Sequence, residues 1–172
     1  MKRNELRVKK RIISFLSCLA IFCSIFMASF SDVQASESEM KKVDGSYLTM
    51  DTTSTGYSSN SLTRGIHLMD GECSITNAAK DKIYAYASTT ANHEVDYIGV
   101  IVYVDRYNEE TGRWGQIDWW MVTDEDEYFI ITSKTLTVER GHYYRVHADH
   151  FARKDPDPIE ETFSTTNGVW LP

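Results

Sequence analysis

The predicted fold follows from one segment of the chain, Leu136-Thr137-Val138-Glu139-Arg140-Gly141-His142-Tyr143-Tyr144-Arg145-Val146-His147-Ala148. Its first residues read as the end of a strand, and Gly141 supplies a tight corner because glycine tolerates a positive φ. The residues after the corner alternate between two faces, and Tyr144, Val146 and Ala148 share the apolar one. The segment therefore predicts a chain that leaves one sheet, turns at Gly141 and enters a second sheet.

From Arg64 onward the sequence has a period of two, and no stretch sustains a helical period. The clearest local pattern is a hairpin that joins residues 97–104 to residues 114–122 across a polar loop. About seven strands follow one another at intervals of roughly ten residues. The sequence therefore predicts an all-β fold, an immunoglobulin-like antiparallel β-sandwich of about seven strands. A small up-and-down β-barrel is the alternative.

Three finer expectations concern the core of this fold. Asp70-Gly71 is a turn dipeptide, which predicts a turn between short strands at Ile66-His67-Leu68 and Cys73-Ser74-Ile75. Cys73 alternates with Ile75, so we expect a buried and unreactive thiol, with an intermolecular disulfide as the alternative. A strand over residues 128–138, bent near residues 133–134, is expected to place its core residues at Ile131, Leu136 and Val138.

The N-terminus has the pattern of an export signal. Six lysine and arginine residues precede an uncharged apolar run over residues 12–30, and small residues follow at Val33 and Ala35. This pattern predicts a signal peptide over residues 1–35, cleaved after Ala35, and hence a secreted or cell-envelope-associated protein. An uncleaved anchor is the alternative, because the run approaches the roughly 20 residues that span a bilayer.

The remaining chain is divided by composition into a lead-in and a domain. Residues 36–63 are polar, with ten Ser or Thr among the eighteen residues 46–63. Such a segment offers little apolar surface to offset the entropy of ordering, so it predicts a flexible lead-in. Residues 64–172 are then expected to form a single β-sandwich domain.

The charge of the chain limits its partners. The sequence has 18 basic and 25 acidic side chains, and removal of residues 1–35 takes away six basic and two acidic ones. The expected mature chain therefore has 12 basic and 23 acidic side chains, a net charge of −11. Such a surface repels phosphate, which argues against nucleic acid, and against membrane after signal cleavage, as partners.

The corner also carries a resemblance to known architectures. The pattern from Leu136 through Gly141 to Ala148 resembles the E–F corner of immunoglobulin-like and fibronectin type III sandwiches. In those folds a tyrosine hydroxyl bonds back to the backbone, a role that fits Tyr144, with Tyr143 the rival one residue out of register. The cysteine pair of antibody domains is absent, so the resemblance concerns architecture only.

The mature chain as a whole resembles an uncharacterised family of small secreted proteins of Gram-positive bacteria. The resemblance rests on the signal peptide, on residues 141–146 (Gly-His-Tyr-Tyr-Arg-Val) and on residues 164–168 (Ser-Thr-Thr-Asn-Gly). It implies no activity, and it transfers no catalytic, cofactor-binding or metal-binding residues.

Candidate metal ligands are dispersed by the strand alternation. His147 and Asp149 fall on one face of the predicted strand, whereas His142 and His150 fall on the other. Because a closed zinc site needs four ligands, surface polar residues are the better interpretation. The acidic loops at residues 124–127 and 155–157 lack the spacing of a calcium-binding loop and are interpreted as solvated turns. No metal and no cofactor are predicted.

Aromatic side chains give the one functional signal that we follow. Tyr97, Tyr103, Trp120 and Tyr143 are predicted on the face opposite the core residues, together with Tyr84 or Tyr86. Exposed rings on a sheet stack on sugar rings or receive the side chains of a protein partner. The alternative is that these rings only cover the sheet, through contacts with Arg106 and Arg145.

No catalytic motif occurs in the sequence, and Asp118 or Glu160 as a general acid would be a guess. We therefore expect a non-catalytic extracellular binding module for a glycan or protein ligand. A structural, cell-envelope-associated domain is the first alternative, and a secreted hydrolase is the last.

Overall fold

The computed structural model describes residues 41–58 and 65–172. The predicted signal peptide and its cleavage site, and residues 59–64, lie outside the described residues. Within the described residues no helix is long and apolar enough to span a membrane.

The described residues contain eleven strands. They are β1 (Lys42–Val43), β2 (Ser46–Thr49), β3 (Thr53–Tyr57), β4 (Leu68–Ala79), β5 (Lys82–Val95), β6 (Tyr97–Asn108), β7 (Arg113–Asp124), β8 (Glu127–Thr137), β9 (His142–Arg153), β10 (Glu160–Thr165) and β11 (Gly168–Leu171). A seven-stranded sheet has the order β1-β2-β11-β9-β6-β7, and β10 also pairs with β9. A four-stranded sheet has the order β3-β4-β5-β8. The β2–β11 pairing is parallel, and the other pairings are antiparallel.

The two sheets pack face to face around one apolar core. The four-stranded sheet contributes Ile75, Ile83, Ala85 and Ala87, and the seven-stranded sheet contributes Val100, Val102, Val104, Val146 and Ala148, all of them fully buried or nearly so. Each set lies at alternate positions of its strands, as a half-buried sheet requires. In the described residues both sheets have open edges, so the β-sandwich is confirmed and the barrel alternative is wrong.

The corner joins the two sheets, as the sequence predicts. Strand β8 ends in the four-stranded sheet, Gly141 adopts a φ of 77°, and β9 begins in the seven-stranded sheet. Tyr144 is buried, and its hydroxyl donates to the Glu139 carbonyl oxygen at 2.6 Å. This bond confirms the role assigned to Tyr144 rather than Tyr143. The wider likeness to immunoglobulin-like sandwiches stays a prediction.

The turn expected at Asp70-Gly71 is wrong, because β4 runs continuously from Leu68 through this dipeptide. Its register shifts between Leu68 and Asp70, which marks a β-bulge. Gly71 lies against the imidazole ring of His150 in the opposite sheet, and a Cβ at this position would come within 2.3 Å of that ring. Gly71 therefore stands where the two sheets approach each other closely, and not in a turn.

The prediction of Ile131 as a core residue is also wrong. Ile130 is buried, whereas Ile131 is 53% exposed on the outer face of the four-stranded sheet. Because Ile130 and Ile131 are adjacent, the alternation of the strand can place either of them in the core. Leu136, which is buried as expected, lies on the same face of the strand as Ile130. Val138 packs against the core, and Cys73 is fully buried as predicted. Burial raises the pKa of the Cys73 thiol to about 11, which leaves it protonated and unreactive.

The flexible lead-in predicted over residues 36–63 is corrected in the part that the structure describes. Strands β1, β2 and β3 occupy this range and belong to the same compact unit as the later strands. Hydrogen bonds order them: Ser46 Oγ donates to the Thr166 carbonyl at 2.8 Å, and Ser54 Oγ accepts from the Asn167 amide at 2.9 Å. The serine hydroxyl groups, whose abundance suggested a flexible lead-in, thus attach this segment to residues 166 and 167.

Candidate functional site

The outer face of the seven-stranded sheet is divided into a covered part and an open part. The covered part lies under the lead-in strands. There the Trp114 indole donates to the Val43 carbonyl at 3.2 Å, and the Lys41 amine donates to the Tyr107 hydroxyl at 2.9 Å. The Trp114 ring lies directly over Gly168, where a Cβ would come within 2.6 Å. The aromatic rings in this part of the face are therefore covered by residues of the lead-in.

Arg145 is the centre of the covered part. Its Nε donates to Asp105 at 2.9 Å, its Nη1 donates to the Asp44 carbonyl at 2.9 Å and to Ser46 Oγ at 3.2 Å, and its guanidinium lies 4.6 Å from the Trp114 ring centroid. Arg145 and Asp105 are both buried. The expected contact between an aromatic ring and an arginine is therefore observed at Trp114. There Arg145 also holds the lead-in against the sheet.

The charge of Asp105 is held by two partners. Burial alone would raise the pKa of this carboxyl group, but hydrogen bonds from His147 and Arg145 lower it below its usual value. His147 Nε2 lies 3.4 Å from the Asp105 carboxylate. The His147 ring in turn stacks on Tyr103, with centroids 4.6 Å apart and planes 10° apart. Tyr103 thus marks the border between the covered part and the open part.

The open part carries a contiguous set of apolar side chains, which we call the open face. Its members lie on β6, β7 and β10 and are Ile101, Tyr103, Trp119, Met121 and Phe163. Tyr103 pairs with Trp119, and Ile101 pairs with Met121. Trp119 is 57% exposed and Phe163 is 60% exposed. Such a patch on a rigid sheet is typical of a binding surface.

A groove of about 330 Å³ opens beside these rings. Ile101, Phe151 and Phe163 form its apolar walls, and the side chains of Asp149 and Glu161 bring two carboxylates to it. Phe151 is buried because its ring lies over Gly99, where a Cβ would come within 2.4 Å. The groove therefore has a rigid floor and an exposed ring on one side.

Tyr103 is linked to the groove through Asp149. Burial raises the pKa of the Tyr103 phenol, and the charge of Asp149 and hydrogen bonding to that carboxylate raise it further. The phenol therefore stays protonated at neutral pH and acts as a hydrogen-bond donor.

Three of the four predicted ring positions lie on the predicted face, but they do not form one cluster. Tyr103 belongs to the open face. Tyr97 packs on Phe151, with ring centroids 5.6 Å apart, and Tyr143 packs on Trp170 at 4.8 Å. Tyr143 also lies within 3.7 Å of the Met50 sulfur. Tyr97 and Tyr143 are thus half-buried by neighbours.

The placement of Trp120 on the exposed face is wrong. Trp120 pairs with the fully buried Val102 and packs against the core, and its Nε1 donates to Thr132 Oγ1 at 3.0 Å. The Lys134 amine lies 5.4 Å from its ring centroid. The error arises because β7 is apolar at both parities, so alternation alone does not orient it. The cross-strand partner Val102 was the signal that identifies Trp119 as the exposed ring.

The candidate metal ligands are separated as the alternation predicts, but His150 does not lie on the surface. It is fully buried between the sheets, with Nδ1 2.9 Å from Thr89 Oγ1 and Nε2 2.7 Å from Ser164 Oγ. In the described part of the chain no three His, Cys, Asp or Glu side chains are grouped to hold a metal ion.

The acidic loop at residues 155–157 is engaged within the fold. Asp155 forms an ion pair with Arg153, and Asp157 Oδ2 lies 2.9 Å from His67 Nε2. The other nitrogen of His67 lies 3.2 Å from Nε2 of His93. These contacts fasten the loop to the start of β4, so the carboxylates are held by protein partners.

The suggested acid catalysts are engaged as well. Asp118 forms an ion pair with Lys134. Glu160 accepts hydrogen bonds from the backbone amides of residues 66, 67 and 68 at 2.7, 2.9 and 2.7 Å. Burial would raise the pKa of Glu160, but these three donors lower it, so its carboxylate stays charged and is a poor proton donor. The Ser164–His150 pair lies fully buried and out of reach of a substrate.

Comparison with protein-family models matches residues 33–168 to a family of unknown function (DUF6147), and the chain therefore belongs to this family. No curated protein and no solved structure matches the chain.

Proposed function

We propose that this member of DUF6147 is an exported, non-catalytic binding module that takes an extracellular glycan on its open face. The observation that carries the proposal is the contiguous patch around Trp119 and Phe163, which stays uncovered while the neighbouring rings of the same face are covered by the lead-in. A protein that only needed to shield its sheet would gain by covering this patch as well.

A glycan suits the chemistry of the patch. The apolar faces of sugar rings stack on flat aromatic side chains, and their hydroxyl groups require hydrogen-bond partners at the edge of the ring. Phe163 offers ring surface with the carboxylate oxygen atoms of Asp149 and Glu161 beside it, and Trp119 offers a second exposed ring on β7. Both kinds of group project from paired strands, which holds them in fixed positions.

A protein ligand is the second candidate, and one observation favours it. Among the described strands β7 is the last of its sheet, so no described strand pairs with its outer backbone groups, which can accept a further strand. Ile117 and Met121 on this strand are 42% and 45% exposed, and such side chains are better suited to a protein surface than to a sugar.

The proposal of export rests on the composition of residues 1–35, and the proposal of an immunoglobulin-like architecture is supported by the packed sheets and the corner. The four-stranded sheet β3-β4-β5-β8 packs on the seven-stranded sheet, and the tyrosine corner lies between β8 and β9. Two packed sheets with a tyrosine corner between them are a feature of such sandwiches. The oxidising exterior also suits a domain whose described part contains a single, buried cysteine.

The test uses the protein recovered from the culture medium of an expressing Gram-positive host. Export predicts a secreted chain that begins at Ser36, which N-terminal sequencing reads directly. A chain retained with its first 35 residues would contradict the cleavage. The secreted protein is then screened against cell-wall and host glycans immobilised on an array.

The Trp119→Ala variant is expected to lower affinity for any bound glycan about tenfold, because loss of a stacking ring removes roughly 1.4 kcal/mol. Tyr57→Ala is the matched control, since Tyr57 is 62% exposed on the other sheet. Glycan binding that survives Trp119→Ala unchanged would refute the open face as the site. Binding to secreted or surface proteins alone would favour the protein ligand, and no binding at all would favour a structural, envelope-associated domain.

A further inference from the structure

We infer that the groove beside the open face selects glycans with free amino groups, such as glucosamine units that lack the N-acetyl group. This inference rests on the proposed function and adds the chemical class of the ligand. It is carried by two carboxylates that have no cationic partner and lie next to the exposed ring of Phe163. One of them, Asp149, also accepts a hydrogen bond from the Tyr103 phenol.

The two carboxylates stand on neighbouring strands of one face. Asp149 on β9 pairs with Phe163 on β10, and Phe151 on β9 pairs with Glu161 on β10. Asp149 and Glu161 therefore occupy a diagonal across the strand pair, at a separation of about 7 to 8 Å between backbones. The groove lies between them, with Phe163 at its side. A sugar ring fits this spacing, with its polar edge directed at the acids.

Several acidic groups of these sheets have a cationic partner, and these two do not. Asp105 pairs with Arg145, and Asp118 pairs with Lys134. Over residues 41–58 and 65–172, by contrast, neither Asp149 nor Glu161 forms a salt bridge. Both side chains are exposed and lie in the concave part of the surface. They are consequently free to accept a cation from a ligand.

An ammonium group matches this arrangement better than a metal ion or a neutral amide does. It donates three hydrogen bonds, which carboxylates accept with charge assistance, and it is attracted to the face of an aromatic ring. Phe163, opposite Asp149 and two residues after Glu161, supplies such a face beside both acids. An N-acetylated amine is a neutral amide, which brings no charge and keeps only one N–H donor, so the carboxylates attract it less.

The charge of the whole chain acts in the same direction. The sequence carries a net charge of −7, which concentrates cationic polymers near the protein and repels anionic ones. Of the residues that the structure describes, no lysine or arginine lines the groove. Glycans that bear carboxylate or phosphate groups are therefore expected to be rejected.

The experiment compares three oligosaccharides of equal length, measured by isothermal titration calorimetry in slightly acidic, low-salt buffer. They are a glucosamine tetramer, an N-acetylglucosamine tetramer and a neutral glucose tetramer. We expect the glucosamine tetramer to bind at least tenfold more tightly than the others, and we expect this advantage to fall severalfold at 0.5 M salt because of screening.

Two variants locate the preference. The Asp149→Asn, Glu161→Gln double variant is expected to remove the preference and to leave binding of the N-acetylated tetramer in place. The control, Asp124→Asn with Glu125→Gln, neutralises two exposed acids in a loop away from the groove and should leave the preference intact.

Each outcome separates the inference from the proposed function. Equal binding of all three tetramers, or a preference for the acetylated one, would overturn the inference and leave the glycan function standing. A preference lost equally in the control variant would also overturn it, because it would then reflect only the overall charge. If no tetramer and no other glycan binds, both the inference and the proposed function fail.

Discussion

Acidification is expected to destabilise the protein through His150, well above the pH at which its carboxylates protonate. The Thr89 hydroxyl donates to the Gly99 carbonyl at 3.0 Å, so its oxygen is left to accept from His150 Nδ1. The imidazole Nε2 then accepts from Ser164 Oγ at 2.7 Å. Both ring nitrogens are thus satisfied in the neutral form, and a second proton would place a charge between the sheets.

The size of the effect follows from the pKa of this histidine. Burial lowers the pKa of His150 from 6.5 to about 4. At 1.36 kcal/mol for each pKa unit, the difference corresponds to about 3 kcal/mol of folding free energy below both values. Because the folded-state pKa is depressed, stability is full above pH 6.5 and is lost as the pH falls towards 4. About 2.5 kcal/mol of this loss is expected by pH 4.5.

The assay is urea unfolding at a series of pH values, with the His150→Gln variant beside the wild type. The variant lacks the titrating group, so its stability should fall less steeply between pH 6.5 and pH 4.5, by about 1.1 kcal/mol for each pH unit. His142→Gln is the matched control, because His142 is partly exposed, and its slope should follow the wild type. Parallel slopes for His150→Gln and the wild type, or an NMR titration of the folded His150 ring near pH 6.5, would refute the reasoning.

Three further substitutions test the packing by calorimetry and urea unfolding. Tyr144→Phe removes the 2.6 Å hydrogen bond across the corner and should cost about 1 to 2 kcal/mol; an unchanged melting temperature would contradict that role. Arg145→Met leaves the buried Asp105 carboxylate without its main cation and should cost about 3 to 5 kcal/mol, with a loss of under 1 kcal/mol counting against the reasoning. Gly71→Ala drives a methyl group into the His150 ring and should cost about 1 to 3 kcal/mol, so a neutral result would show that the sheets can separate there.

The sequence predicts the parts of the fold that depend on local pattern. The corner is one of them, because a glycine with positive φ and a tyrosine of the right parity are both visible in the chain. The hairpin of β6 and β7 is another, because a long apolar strand, a polar loop and a second strand follow one another directly in the sequence. In both cases a short range of residues carries the whole signal.

The prediction fails where two orientations satisfy the same pattern. Ile130-Ile131 and Trp119-Trp120 each place similar side chains at both parities of a strand, and a shift of one residue exchanges the inner and outer faces. The difference is made by the partner strand, because Val102 lies opposite Trp120 and carries it inward. Pairing is a non-local property, so alternation within one strand does not contain it.

The open face could not be predicted from the sequence for a related reason. Whether a ring is exposed depends on what the lead-in covers, and the lead-in is held by contacts that span about one hundred residues, such as Arg145 to Asp44 and Ser46 to Thr166. These contacts place Trp114 under cover and end at Tyr103, so Trp119 and Phe163 stay open. The extent of the open face is thus set both by its own residues and by the lead-in, which does not cover it. A change in the lead-in that released Arg145 would enlarge the open face without altering any of the rings that form it.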